Sequence, residues 1–440
     1  MKTNKLFTLL LPTVAVTGLL LFNALKNDTP PKHKAATGNA GLTLPAGFTA
    51  SLLVKDVPGG IREIAPLPNG DIYAKIYTPT MRRVVVNKSI VLFHVEGDTA
   101  TVKTSFGTTP GSGVYIKNGY LYGSTDTSVY RYKLNSNYEV INPEAPEKIV
   151  GGLIARREHQ PKAILVDDNN NLYVNIGAFS NSCQVKDREN GSMGIPGCPV
   201  LDSAAGIWQF KADKPNQRYK DGIRYATGLR NVVGMDWNKQ NNQLFVMQHG
   251  RDGLSDMFSQ YYTKEQSTLL PAECLYAIKQ GDDAGWPYIY YDQIQHKKML
   301  APEYGGDGKK TGGEKAIDPV AAFPGHLAPD GLLFYTGTLF PEKYRNGAFI
   351  VFHGSWNREP HHQAGYFVVF QPFKNGKPDG QWEVFANGFG GTEAQINEGG
   401  NSVNYRPCGI AMASDGSIYV SVDNSKGINR GAIFKISYKK

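Results

Sequence analysis

Six short clusters in this 440-residue chain carry the side chains that chemistry needs. They are Glu158-His159, Arg230-Asn231, His249-Gly250-Arg251-Asp252, His326, the run HGSWNR at 353–358, and Tyr405-Arg406-Pro407. Each lies just before or just after a short apolar run. His159 is a candidate base, because imidazole titrates near neutral pH. Arg230, Arg358 and Arg406 offer planar forks that bind carboxylates bidentately. Gathered in one funnel, these groups would hold an acidic ligand with a base beside it. Taken singly, each arginine reads as a solvated charge or a charge bridging neighbouring sheets. Their recurrence at equivalent places is what points to a site. Metal-ligand spacings such as CxxC or HxxxH do not occur.

The elements that position these clusters recur. Asn or Asp, often followed by Gly, opens an apolar–aromatic–apolar strand six times: NGDIYAKI (69–76), NGYLYGST (118–125), NNNLYVNIG (169–177), NNQLFVMQHG (241–250), NGAFIVFHG (346–354) and DGSIYVSVD (415–423). Each copy follows another short apolar strand, as in PKAILVD (161–167) or PCGIAMA (407–413). Such a period predicts a radial β repeat in which each unit buries its faces against its neighbours. The fold class expected is all-β, a six-bladed β-propeller. The runs at 128–134, 206–212, 365–373 and 431–438 are expected as outer strands. Residues 48–54 are expected to complete the last sheet and close the ring. Two long insertions, 179–205 and 251–319, interrupt the pattern; loops of that length are usually functional or disordered.

Residues 1–25 have a basic start and an apolar run broken by Pro12, Thr13 and Gly18. They read as a signal peptide or a signal anchor. Residues 26–41 read as a polar linker, and 42–440 as the propeller. The protein is therefore expected outside the cytoplasm, periplasmic or tethered to the membrane on the periplasmic side. The net charge of +8 is scattered, which argues against a nucleic-acid surface. Cys183 and Cys198 bracket a loop without strand pattern. In an oxidising compartment they are expected to form a disulfide worth about 3 kcal/mol. Cys274 and Cys408 are expected as buried thiols.

Five stretches carry a family resemblance: GLRNVVGMDW (228–237), MQHGRDGL (247–254), GDDAGWPY (281–288), FYTGTLFPEKYRNGAFIVFHGSWNR (334–358) and YRPCGIA (405–411). The chain resembles the pyrroloquinoline quinone (PQQ)-dependent soluble sugar dehydrogenases, in particular the sorbosone dehydrogenase-like branch, over nearly all of 47–436. That resemblance implies a six-bladed propeller with the quinone on the channel face. It implies oxidation of an aldose or a sugar aldehyde such as sorbosone, with electrons leaving to a separate acceptor. His159 matches the catalytic base. Arg230 and Asn231 match the pair on the quinone oxygens, where Arg230 would stabilise developing charge. Gly250 and Arg251 match positions whose backbone carbonyls hold calcium on the quinone. Arg358 and Arg406 match basic residues facing the quinone carboxylates. The chain departs from glucose-oxidising members at Asn404, which replaces an arginine. It departs again at 357–358, where Arg358, or Asn357 by a one-residue shift, replaces a lysine.

Two alternatives remain open on the residues alone. One is a calcium-dependent hydrolase of the lactonase kind, which needs carboxylates converging on a metal. Asp167 and Asp423 are the evident carboxylates, and neither is expected in a cluster. The other is a propeller that binds a ligand without catalysis.

Overall fold

The computed structural model describes residues 38–78, 88–156, 158–425 and 430–439. Residues 1–25 and the first part of the expected linker lie outside them. The end of that linker already belongs to the fold. Asn39 accepts a hydrogen bond from the Ala50 amide (3.2 Å), and Leu42 is buried. Among the described residues no helix is long and apolar enough to cross a membrane.

Six sheets make six blades, numbered here by their first strands: Gly60–Pro66, Val114–Lys117, Ile164–Val166, Val232–Asn238, Pro329–Phe334 and Tyr405–Met412. The pairing is antiparallel except for a two-residue parallel fifth strand on blade 2 (Gln217–Arg218) and on blade 3 (Asp282–Asp283). The first strand of each blade touches the first strands of the blades on both sides, from blade 1 round to blade 6 and back. This closed ring of strands lines the channel. At its narrowest approaches only glycine fits. A Cβ on Gly331 would lie 2.5 Å from the Cys408 carbonyl oxygen, and one on Gly409 would lie 2.1 Å from that of Arg62. The recurring Asn/Asp-Gly opens each blade because its first hairpin turns through a positive φ: Gly70, Asn118, Asn170, Asn242, Asn346 and Gly416 all adopt one.

The ring closes as expected. Phe48–Pro58 pairs antiparallel with Arg430–Tyr438, Phe48 opposite Tyr438 and Pro58 opposite Arg430. The Phe48 ring then packs edge-on against Phe340, Tyr344 and Phe385 of blade 5. The strands expected to be outermost prove to be third strands. A fourth lies outside each: Glu147–Gly151 in blade 2, Ile223–Thr227 in blade 3, Glu383–Ala386 in blade 5 and Phe48–Pro58 itself in blade 6. Apart from Phe48–Pro58, whose apolar run marks it in the sequence, these strands have only four or five residues, so their pattern is faint. The insertion at 251–319 likewise hides the third strand of blade 4, Glu273–Ile278. The remainder of it supplies two short helices, Leu254–Met257 and Lys264–Leu269, and the hairpin Ile289–Asp292 with Lys297–Leu300. The insertion at 179–205 is a loop between the second and third strands of blade 3. The Cys183–Cys198 disulfide closes it, and Cys274 and Cys408 are buried thiols.

Candidate active site

His159 sits one loop before the first strand of blade 3, with φ at +51°. Its Nδ1 lies 2.5 Å from the Ala178 carbonyl oxygen just past the second strand of the same blade. That acceptor fixes the tautomer with the proton on Nδ1 and leaves Nε2 as the acceptor. Burial and then the nearby Arg230 charge hold this imidazole well below its usual pKa, so it is neutral at pH 7. Gly177 makes the tight approach possible. A Cβ there would fall 2.5 Å from His159 Cβ and 3.0 Å from Asn231 Oδ1.

Arg230 and Asn231, entering the first strand of blade 4, are buried against this loop. The Arg230 guanidinium donates to Asn181 O (3.1 Å) and Asn181 Oδ1 (3.0 Å), and to Asp252 Oδ2 (3.0 Å) and Gly250 O (2.8 Å). Four of its five N–H groups are therefore spent on the protein. Asp252 also meets Arg188 Nη1 (3.1 Å), Asn357 Nδ2 (3.1 Å) and His326 Nδ1 (3.7 Å). Burial alone would raise the pKa of Asp252. Arg230, His326 and Arg188 outweigh it and hold the carboxyl well below its usual range.

Arg188 comes from the disulfide-closed loop. Its Nε and Nη2 each lie 3.3 Å from an oxygen of Glu158, the neighbour of His159. Asn181, at the root of the same loop, receives Trp286 Nε1 as well as Arg230. Neither Arg188 nor Asn181 stands out in the sequence. Position is the usable signal: Asn181 follows the second strand of blade 3 as His249 and His353 follow those of blades 4 and 5.

A second cluster completes the mouth of the channel. Arg62 of blade 1 bonds Asp423 of blade 6 (3.1 Å) and approaches Asp330 of blade 5 (3.9 Å). His249 of blade 4 meets Asp330 (3.1 Å), and His353 of blade 5 meets Asp423 (2.6 Å). Asp423 is thus clustered after all, since the ring brings Arg62 of blade 1 and His353 of blade 5 to it. Burial would raise both carboxyls, but Arg62 with His249 and His353 more than offsets that. Asp423 is held at about 2, and Asp330 well below the usual range. Arg406 joins from blade 6, donating to His353 O (3.4 Å) and Gly354 O (2.5 Å). No described carboxylate pairs with Arg406.

The remaining expected residues lie elsewhere. Arg358 is 2% exposed, and its guanidinium faces the carbonyl oxygens of Gly325 (2.9 Å), Thr268 and His362. It is Asn357, not Arg358, that reaches the Asp252 cluster. The Arg251 side chain turns outward into the insertion, 2.7 Å from Glu303. The expected calcium site does not fit this arrangement. The Gly250 carbonyl accepts from Arg230, so a cation there would face a guanidinium across the same oxygen.

The TrAA12-like family pattern matches residues 83–437, most of the chain. The chain belongs to the TrAA12-like family. Relatives of this TrAA12-like protein include an uncharacterised protein of Borreliella burgdorferi, 29% identical over 212 residues, 48% of this chain and 45% of that one. A protein of Hypocrea jecorina named as a pyrroloquinoline quinone-dependent sugar dehydrogenase is 24% identical over 355 residues, 74% of each chain. The match thus spans less than half of the Borreliella protein. Among solved structures, the holo form of the pyranose dehydrogenase PQQ domain from Coprinopsis cinerea superposes with a TM-score of 0.68. It is 18% identical, over 93% of this chain and 98% of that one, a likeness of fold.

Proposed function

We propose that this TrAA12-like protein is a quinoprotein dehydrogenase that oxidises an aldose or a sugar aldehyde and passes the electrons to a separate acceptor. The observation that carries the reading is the state of His159. Its Nδ1 is committed to Ala178 O, while the ring is neutral and Nε2 has no hydrogen-bond partner among the described residues. Such a nitrogen takes the proton of a sugar hydroxyl. Arg406, a cation that no described carboxylate pairs with, supplies the charge that an acidic cofactor needs and fits a quinone tricarboxylate. Asn231 Oδ1 accepts from Asn175 Nδ2 of the neighbouring blade (3.4 Å). Bound there, pyrroloquinoline quinone supplies a two-electron acceptor for hydride. The sugar carbon loses hydride, the hydroxyl proton goes to His159 Nε2, and an aldose leaves as its lactone. Sugar aldehydes of the sorbosone kind, oxidised as hydrates, leave as acids by the same balance.

The carboxylates at the channel mouth argue against the hydrolase alternative, because Asp330 and Asp423 are already neutralised by Arg62, His249 and His353. The disulfide supports an exported protein, with residues 1–25 as signal or anchor. The test is reconstitution of the purified protein with pyrroloquinoline quinone. The expected result is a rise in Tm and reduction of an artificial dye with members of a broad aldose and sugar-aldehyde panel. No Tm rise and no dye reduction would overturn the proposal.

A further inference from the structure

Trp356 is the one large aromatic among the described residues left mostly in water, 67% exposed, while Trp208 and Trp286 are each 5% exposed. It stands in the HGSWNR run, in the segment joining the second and third strands of blade 5. Its indole borders a cavity of about 300 Å3, whose rim carries Asp256, Lys264, Asn357 and Glu359 with Ser255. Asp256, Lys264 and Glu359 are exposed, and among the described residues no hydrogen bond or ion pair engages their charged groups. An open indole beside uncommitted hydroxyl-binding groups has the chemistry of a saccharide site. The apolar C–H face of a pyranose packs on the ring, and its hydroxyls bond to carboxylate and ammonium.

The cavity is built onto the candidate active site. Asn357 Nδ2 donates to Asp252 Oδ1 (3.1 Å), and Gly253, next to Asp252, is part of the wall. His326 spans the two, with Nδ1 3.7 Å from Asp252 and Nε2 2.7 Å from the carbonyl oxygen of Ser267, another wall residue. Asp252 in turn holds Arg230 beside His159. We infer that the Trp356 cavity is a subsite for further sugar units of an oligosaccharide whose terminal unit is oxidised at His159. This rests on the sugar dehydrogenase reading above, and extends it from a free monosaccharide to a longer glycan.

The test compares the PQQ-loaded wild type with Trp356→Ala and Trp356→Phe. The substrates are glucose, xylose and mannose and their β-1,4-linked tetrasaccharides. The expected result is that Trp356→Ala lowers kcat/KM for the oxidised tetrasaccharide about tenfold through KM, since one stacked sugar is worth on the order of 1 kcal/mol. Monosaccharide oxidation should stay within about twofold, and Trp356→Phe should retain most tetrasaccharide activity. An equal loss on mono- and tetrasaccharide, or no loss on either, would overturn the inference. If no sugar is oxidised, the dehydrogenase reading fails, and binding to the same protein decides the cavity separately. Tetrasaccharide should then shift the tryptophan emission of the wild type and not that of Trp356→Phe; no shift in the wild type refutes the subsite.

Discussion

His159 illustrates how little a side chain's type says without its partners. In the sequence it is a loop histidine between Glu158 and Lys162. In the fold, Ala178 O takes its Nδ1, and burial, then the Arg230 charge, depresses its basicity. His159→Ala is expected to lower turnover by about 10²–10⁴-fold while the Tm rise on PQQ addition persists. The pH profile carries the sign of the shift. The base works when neutral, and its pKa lies well below 6.5. Thus kcat/KM should stay level from neutrality down through 6.5 and fall only in more acidic buffer. A drop centred at 6.5 or above would reject His159 as the base. Gly250 gives the second prediction at this level. With its carbonyl held by Arg230, calcium at millimolar concentration should leave the Tm of the cofactor-free protein unchanged. A calcium-dependent rise would show that the guanidinium yields the oxygen.

The loop between the second and third strands of blade 3 is the element on which the site depends most. Its disulfide holds the segment carrying Arg188, which ties Glu158 to Asp252. Replacing Cys183 and Cys198 by serine should cost roughly 3 kcal/mol of stability, seen in denaturant melts. It should also lower kcat more than KM changes, because the Arg188 tie loosens while the blades stay intact. Stability loss with unaltered kcat would mean that the loop is only a staple. This loop's pairing was legible from two cysteines and a missing strand pattern. Its contact with Asp252 was not, because Arg188 and Asp252 are 64 residues apart and meet only through the ring.

The whole ring depends on charges shared between blades. Arg62, His249, Asp330, His353 and Asp423 come from four blades and have no counterpart within any single repeat. Asp423, lowered from 3.8 to about 2, contributes stability that is present above pH 3.8 and lost as pH falls towards 2. His249, raised above 6.5 by Asp330 despite its burial, contributes below 6.5 and loses that contribution as pH rises through its folded pKa. Asp423→Asn should therefore cost about 3 kcal/mol at pH 6, with the Tm gap to wild type narrowing as pH falls from 4 towards 2. A gap that stays constant across that range would show that the pairing adds nothing.

Six blades, the strand that closes them and the hairpin turns were all readable from local pattern. Alternating apolar runs and Asn-Gly turns are properties of neighbouring residues, and a propeller repeats them. The other fourth strands were not readable, since edge strands such as Ile223–Thr227 bury too little apolar surface to show a period. His159, Arg230 and Asn231 were identified in the chain by type and spacing, and the fold does bring them together. Which charges face one another was decided by the tertiary structure alone. Arg358 and Asn357 are adjacent in sequence, yet one is locked under backbone carbonyls and the other reaches Asp252. Burial and pairing set the protonation of His159, Asp330 and Asp423, and both arise only when distant strands close into a ring.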